Sequence, residues 1–348
     1  MKWNIPTRDG GYKAAALARQ ARLTKPAGAL GALEDVAVWL ADIQQSDQPI
    51  ADPAATIVFA SDHPVSRMGV SAYPREVTPM MVINLATGGA AASVLARMNG
   101  IPLHVVDVGT EAYPDPQPGP GLHWTRVDPA GVVGDLVTSD AMDERALEAA
   151  LRAGAEAVDA LPTGTRIAIF GEMGIGNTTP ASAISARLMQ TTAAEVVGPG
   201  TGVQGEALEA KRALVEKALD RTPGTDEPLA VLRRLGGREI AAIVGAMGRA
   251  AERGMAILVD GFIVSSAALV AARHDPQIRD HMWFAHRSGE PGHARILASL
   301  GASPLIDAGM RLGEGSGALA SLPLIQASVA LHNQMATFEE ASVSDKAE

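Results

Sequence analysis

Four short apolar runs, at residues 56–60, 103–108, 166–170 and 255–259, and a weaker fifth at 304–306, are separated by long stretches of helical periodicity. That alternation constrains the fold more than any other feature of the chain. A short continuous apolar run suits a strand buried on both faces. Strands that alternate with helices build a mainly parallel sheet covered by helices. Helical periodicity extends over residues 77–98, 141–161, 180–189, 206–220 and 239–253. The first 50 residues hold no convincing strand; 11–22 and 28–43 read as helices, as does 317–337 near the other end. The expectation is an α/β protein: a Rossmann-like large lobe over residues 51–316, and a small helical lobe built from residues 1–50 and 317–348. Residues 112–135, rich in Pro and Gly, read as a long irregular connection, and the final EEASVSDKAE as a frayed tail.

Hydrophobic residues make up 47% of the 348, yet aromatics only 3%, so the core must be assembled from small aliphatic side chains. This favours close-packed helices and tight loops over a sandwich of aromatic pairs. The formal net charge of −10 argues against a nucleic-acid partner, because phosphate backbones need clustered Lys and Arg. The chain has no cysteine, which excludes disulfides, thiolate nucleophiles and Cys-ligated zinc and fits a reducing compartment. The start, MKWNIPTRDGGYK, lacks the apolar core of a signal peptide. Residues 254–272 are apolar enough to suggest a membrane span, but Asp260-Gly261 and Ser265-Ser266 lie inside the run. A strand, a turn and a buried helix explain it better, since a carboxylate at bilayer depth is costly. The expectation is a soluble, cytoplasmic protein that engages neither membrane nor nucleic acid.

In open α/β sheets ligands bind beyond the carboxyl ends of the strands. Here those ends read SDH (61–63), DVG (107–109), GEMGIGNTT (171–179), DG (260–261) and DAGMRLGEGSG (307–317), so acidic residues and glycines gather at one rim. The run Gly174-Ile175-Gly176-Asn177-Thr178-Thr179 leaves a strand, and Pro180 suits a helix's first turn. Such a turn would aim backbone N–H groups and hydroxyls at an anion on the positive end of the helix dipole. It would equally serve as a structural turn capped by Thr. With no Lys it is not a nucleoside-triphosphatase loop, and its spacing is not a dinucleotide fingerprint. A second glycine-rich loop, VVGPGTGVQGEALEAKRAL, leads into a helix whose Lys211 would either complete a phosphate site or be a solvated helix residue. Asp260 would bind a ribose hydroxyl or cap its turn. Glu314, between two glycines in MRLGEGSG, would be a general base if held in an apolar pocket that raises its pKa, or else an exposed loop residue. His281, His286 and His293 lack the i, i+4 spacing of a helical zinc site, and His63 stands alone, so no metal is expected. No Gly-x-Ser-x-Gly elbow is present.

Together, LTKPAGALGALEDVA (23–37), GVSAYPREVTPMMVINLATGGAAASVLA (69–96), GEMGIGNTTPASAI (171–184), GPGTG (198–202), DGFIVSSAALV (260–270), SGEPGH (288–293) and MRLGEGSGALASLPLIQA (310–327) resemble the nicotinate-nucleotide:dimethylbenzimidazole phosphoribosyltransferase family. The stretches fall in order across nearly the whole chain. The resemblance implies transfer of phosphoribosyl from nicotinate mononucleotide to a benzimidazole nitrogen, releasing nicotinate, within cobalamin assembly. It puts the general base on Glu314, with Glu172 as a secondary electrostatic or positioning group. It puts the phosphoribosyl group near Gly174, Gly176, Asn177, Thr178, Thr179, Gly200, Gly202, Lys211, Asp260, Gly261 and Ser288. It puts the acceptor base near Tyr73, Met80, Met81, Met173 and Leu312, and it implies a homodimer. No cofactor is expected, since the leaving nicotinate is an already activated pyridinium that needs neither a general acid nor a magnesium pyrophosphate clamp. Pro64 and Pro199 depart from the family pattern, which often has Gly and a basic residue there. A different acceptor, such as adenine or a phenol, and a non-catalytic nucleotide sensor are the alternative readings.

Overall fold

A computed structural model of the chain describes residues 2–128 and 130–344; the last four residues of the polar tail lie outside the described residues. Helices α1 (Gly11–Arg22) and α2 (Ala32–Gln44) precede strand β1 (Ala54–Ser61), which leads into a short 3-10 turn, Pro64–Met68. Helices α3 (Val77–Thr87) and α4 (Ala91–Met98) follow, then β2 (Leu103–Gly109), β3 (Leu122–Arg126), α5 (Glu144–Asp159) and β4 (Ile167–Met173). Next come α6 (Thr178–Met189), α7 (Ala193–Val196), α8 (Glu206–Arg221), α9 (Pro228–Leu235) and α10 (Arg238–Glu252). Strand β5 (Ala256–Val259), α11 (Phe262–His274), α12 (Pro276–Asp280), β6 (Met282–Phe284), α13 (Pro291–Ser299) and α14 (Ser316–Gln334) complete the order.

The six strands form one sheet in the order β3-β2-β1-β4-β5-β6, and every neighbouring pair is parallel. Alternate residues of each strand feed opposite cores, as a pleated strand requires. Ile57, Phe59, Ala168, Phe170, Ile257 and Val259 face the layer that includes α5, α6, α10 and α11. Val58, Ala60, Ile167, Ile169 and Leu258 face α2, α3, α4 and α14. The expected α/β class with its mainly parallel sheet is therefore found. Helices α2 and α14 share the second core with the strands, and only Ala16, Val38 and Ala41 form a small cluster of their own.

Three elements differ from the sequence reading. The stretch expected to be irregular contains β3, an edge strand pairing Leu103 with Leu122 and Val105 with Trp124. Its residues alternate between buried and exposed, so it shows no apolar run. The weak strand at 304–306 reduces to a single bridge between His286 and Ile306, and the sheet edge is instead the three-residue β6. Residues 77–98 form two helices, because Gly88 takes φ 101° and ends α3. Val77–Met98 is the one described stretch whose length and composition would suit a membrane span. Divided at Gly88, neither helix reaches across a hydrocarbon core about 30 Å thick. The run at 254–272 is the strand, turn and buried helix expected of it.

The shortage of aromatic side chains is met by helices that approach closely. A Cβ added at Gly154 of α5 would overlap the carbonyl of Ala242 in α10, and one at Gly245 of α10 would overlap the carbonyl of Leu151. Gly154→Val should therefore force the two helices apart and destabilise the fold by about 1–3 kcal/mol or more. Urea denaturation reads this as a lower midpoint at constant slope; a wild-type midpoint would show that the α5–α10 contact is loose.

Candidate active site

The strand order reverses between β1 and β4, and a cavity of about 520 Å³ opens beside that point, over the carboxyl ends of β4, β5 and β6. Strand β4 supplies two neighbours with opposite destinations. Met173 packs toward the α3 layer, whereas Glu172 points to the other side and accepts a hydrogen bond from Asn177 Nδ2. Glu172 is inside a strand, 5% exposed, rather than in the loop that follows it.

Glu314 is brought onto the same rim by an unusual piece of backbone. Gly313, Glu314 and Gly315 have φ of 95°, 62° and 82°, so a side-chain-bearing residue holds a left-handed conformation between two glycines. The cause is close approach: a Cβ on Gly171 of β4 would overlap the Glu314 carbonyl, and one on Gly313 would overlap the Glu172 carboxylate. Asp260, at the end of β5, fixes the far side of this loop. Its carboxylate accepts from the backbone N–H of Gly315 at 3.2 Å and of Ala318 at 3.0 Å, capping α14, and lies 3.4 Å from His286 Nε2. Glu314 itself is only 5% exposed, and its Oε2 accepts the N–H of Ala92, at 3.1 Å, in the first turn of α4.

Burial pushes the Glu314 carboxyl above its ordinary 4.5, with Asp260 adding to the rise and the N–H groups of Ala92 and Ala91 opposing it. Glu172 is raised well above the same value, first by burial and then by Glu239, Asp260 and Glu314, against the Asn177 hydrogen bond. Glu239 is itself engaged by Ser61 Oγ at 2.6 Å and His63 Nε2 at 2.7 Å. Three buried carboxylates, Glu172, Asp260 and Glu314, thus line one side of the cavity, and Glu239 stands behind Glu172.

The other end is lined by Thr178, Gly200, Thr201, Ser288 and Glu290, with one buried ammonium behind Thr178. Lys211 of α8 is 1% exposed rather than solvated, and its Nζ donates to Thr178 Oγ1 at 2.8 Å and the Gly198 carbonyl at 3.0 Å. Burial lowers its pKa to about 8, against the pull of Glu290. Thr201 accepts the N–H of Ala72 at 3.0 Å and lies 2.9 Å from Ser71 Oγ, tying the 198–202 loop to the segment that enters α3. Between the two ends, Tyr73, Met81, Met173 and Leu312 form an apolar wall.

A phosphoribosyltransferase family model matches residues 5–343. A relative from Azotobacter vinelandii named nicotinate-nucleotide–dimethylbenzimidazole phosphoribosyltransferase is 47% identical, covering 99% of this chain and 98% of its own. A Bradyrhizobium relative with the same name is 49% identical over 98% and 97%. The chain belongs to the nicotinate-nucleotide:dimethylbenzimidazole phosphoribosyltransferase family. A crystal structure of the Thermus thermophilus protein of that name matches with a TM-score of 0.89 at 41% identity, covering 97% of this chain and 100% of the other. The chain is accordingly a pentosyl-transferring enzyme.

Most residues that the motifs single out converge on the cavity. Glu172, Glu314, Gly174, Asn177, Thr178, Gly200, Asp260, Gly261 and Ser288 line it, with the apolar four above. Met80, Gly176, Thr179, Gly202 and Lys211 do not. Met80 is 64% exposed, since Val77 and Met81 share the inward face of α3 and Met80 is rotated away. Gly176 meets another piece of protein: at φ 92°, its missing Cβ would stand 3.3 Å from Ser66 and Val70. Thr179 is buried in α6 and Lys211 stands behind Thr178. The structure adds Glu290, Arg311, His286 and Phe262 to the lining. Glu290 and Arg311 fall inside the quoted SGEPGH and MRLGEGSG stretches, but nothing in their local sequence sets them apart from ordinary loop charges. Among the described residues, no group of three or more His, Cys, Asp or Glu is arranged to hold a metal ion. His281 Nδ1 meets the Met255 carbonyl at 2.9 Å, and His293 lies between Ser265 and the Ser288 N–H.

The crowded carboxylates carry a stability signature. A carboxyl raised in the folded state binds its proton more tightly than in the unfolded chain. Its stabilising contribution is therefore complete below the unfolded pKa and is lost as pH rises through the folded one. Glu172→Gln has no such dependence, so its melting temperature should gain on wild type by a few degrees between pH 5 and pH 8. Calorimetric scans at the two pH values check this, and an unchanged difference would mean that Glu172 is not held protonated by its surroundings.

Proposed function

We propose that the enzyme transfers the phosphoribosyl group of nicotinate mononucleotide to 5,6-dimethylbenzimidazole or a related lower-ligand base, giving α-ribazole 5′-phosphate and nicotinate in cobalamin nucleotide-loop assembly. The observation that carries this reading is Glu314, a buried carboxylate of raised pKa on the rim between the apolar wall and the acidic end of the cavity. An azole that attacks through one ring nitrogen must lose the proton of the other. Glu314 is the group placed to accept it, its carboxylate steadied by the Ala92 N–H. The anomeric carbon acquires oxocarbenium-like charge as nicotinate departs, and the negative potential of Asp260 and the neighbouring acids favours that charge. Passage from a β-linked mononucleotide to an α-linked product requires attack on the face opposite the leaving group. A single displacement does this with no enzyme nucleophile.

Thr178, Gly200 and Ser288, backed by Lys211, form the end suited to the 5′-phosphate. The homodimer and the cytoplasm belong to the same proposal. Exposed Met80, and Tyr73 and Leu312 at the cavity mouth, are apolar side chains that a second copy would cover, and light scattering on the purified chain measures the mass. The chain's lack of cysteine suits a reducing compartment.

Incubating the enzyme with nicotinate mononucleotide and a base, and following released nicotinate, tests the reaction. Glu314→Gln keeps the size and hydrogen-bonding capacity of the side chain but cannot take the proton. Its kcat should fall by about 10² while the mononucleotide still binds; near-wild-type turnover would remove Glu314 from the role. In the wild type, the base form of Glu314 exists only above its raised pKa. The acid limb of kcat/KM should therefore lie above the ordinary carboxylate value of 4.5, with activity lost as pH falls through it. The acceptor wall, built on Met81, Met173, Tyr73 and Leu312, is flexible and apolar. 5,6-Dimethylbenzimidazole and benzimidazole should therefore react within roughly two orders of magnitude of each other in kcat/KM. Adenine, whose amine the wall leaves unpaired, should be poorer. Mass spectrometry of ribotides formed from equimolar bases reads this order, and a preference for adenine or a phenol would overturn the acceptor assignment.

A further inference from the structure

Glu290 stands at the phosphate-suited end of the cavity with the wrong charge for it. It precedes α13, is buried, and contributes to the lining. Its Oε1 accepts the N–H of Gly200 at 2.9 Å, and its Oε2 has no hydrogen-bond partner although it is shut away from solvent. Gly198 has no room for a Cβ because this carboxylate fills the space. Gly200 takes φ 55°, and a Cβ there would lie 2.9 Å from Thr178 Oγ1 and 3.1 Å from Lys211 Nζ. The Gly200 amide, Thr178, Lys211 and Glu290 therefore converge within one small volume.

A phosphate seated there would draw on the Gly200 N–H that the carboxylate now occupies and on the field of Lys211 that it now feels. Two anions cannot share the Gly200 N–H and the field of Lys211 without a large repulsion in a buried site. We propose that Glu290 is a stand-in anion that holds the 198–202 loop in its receptive shape, and that it takes up one proton from solvent when the phosphate of the mononucleotide arrives. The neutral acid then gives the orphaned oxygen a role, donating its O–H to a phosphate oxygen instead of repelling it. The inference rests on the mononucleotide reading above.

The charged surroundings suit such an exchange. Lys211 of α8 and Arg311 of the Glu314 loop face Glu290 and favour its ionised form, while burial is the largest influence and raises its pKa. His293, one turn along α13, is lowered to about 4 and stays neutral at physiological pH. Asp260 lines the same cavity. An arriving anion tips the balance that the two cations maintain. Since Thr201 in the same loop is tied to Ser71 and Ala72, keeping the loop in shape also keeps the entry to α3 in place.

Calorimetric titration of the whole enzyme at pH 6.5, in buffers of differing ionisation enthalpy, tests this. The probes are sulfate, which carries no proton of its own at that pH, and nicotinate mononucleotide. Wild-type enzyme should take up a substantial fraction of one proton per sulfate bound. Glu290→Gln keeps an acceptor for the Gly200 N–H; it should lose this uptake and bind sulfate and mononucleotide roughly tenfold more tightly at pH 7.5. Sulfate binding to wild type without proton uptake would overturn the proposal, and that measurement needs no variant to fold. Equal uptake in wild type and Glu290→Gln would also overturn it, as would weaker binding by the variant at every pH, because Glu290 would then be a structural brace. If sulfate binds with uptake but mononucleotide does not bind, the assigned substrate fails and the role of Glu290 stands.

Discussion

The backbone contact between Gly171 and Glu314 is the constraint on which the site depends. A glycine near the end of strand β4 lets another main chain lie directly against it, and the chain that does so is bent through three residues of positive φ. Left alone, a glutamate resists that conformation by about 1 kcal/mol or more. Asp260 supplies the restraint from the neighbouring strand, taking the N–H of Gly315 and capping α14 with one carboxylate. The sheet thus sets the position of Glu314 through two adjacent strand ends, β4 and β5, and a nineteen-residue helix anchors the other side. A carboxylate placed this way has little freedom to turn aside.

Electrostatics divide the cavity into two ends with opposite needs. Glu172, Asp260 and Glu314 gather on one side, and Asp260, Glu314 and the Glu239 behind them each raise the difficulty of ionising Glu172. At the other end Lys211 supplies the buried cation, deprived of water but given Thr178, the Gly198 carbonyl and the pull of Glu290. Burying so many ionisable groups opposes folding. The close α5–α10 packing and the two aliphatic cores must offset that opposition. Stability therefore resides in residues remote from the reaction, and instability in residues beside it.

How much of this was legible depended on whether a residue's neighbours in sequence are also its neighbours in space. The central strands were legible because burial on both faces leaves a continuous apolar run, as at 167–170 in β4. Edge strands β3 and β6 were not, since one alternates and the other has three residues. The glycines of MRLGEGSG marked the loop, yet the reason for them lies in Gly171 and Glu172, far away in the chain. Gly176 shows the converse. A glycine in a loop signals close approach without naming what approaches, and here it is the 64–70 segment. Met80 and Met81 look alike in sequence, and only the phase of α3 separates the one that lines the cavity from the one that does not.

Glu290 could not be read from the sequence for a related reason. A glutamate before Pro291 at a helix start has an ordinary local explanation, because acidic groups suit that end of the dipole. What distinguishes it is the pairing with Gly200, ninety positions away, and the second oxygen left without a partner. Unsatisfied buried oxygens are uncommon in folded proteins, and a bound anion beside the protonated acid would satisfy this one. In the free enzyme the carboxylate maintains a loop shaped for an anion; in the liganded enzyme the anion itself can do so. The same geometry then accounts for both the unpartnered oxygen and the readiness of the loop to accept a phosphate.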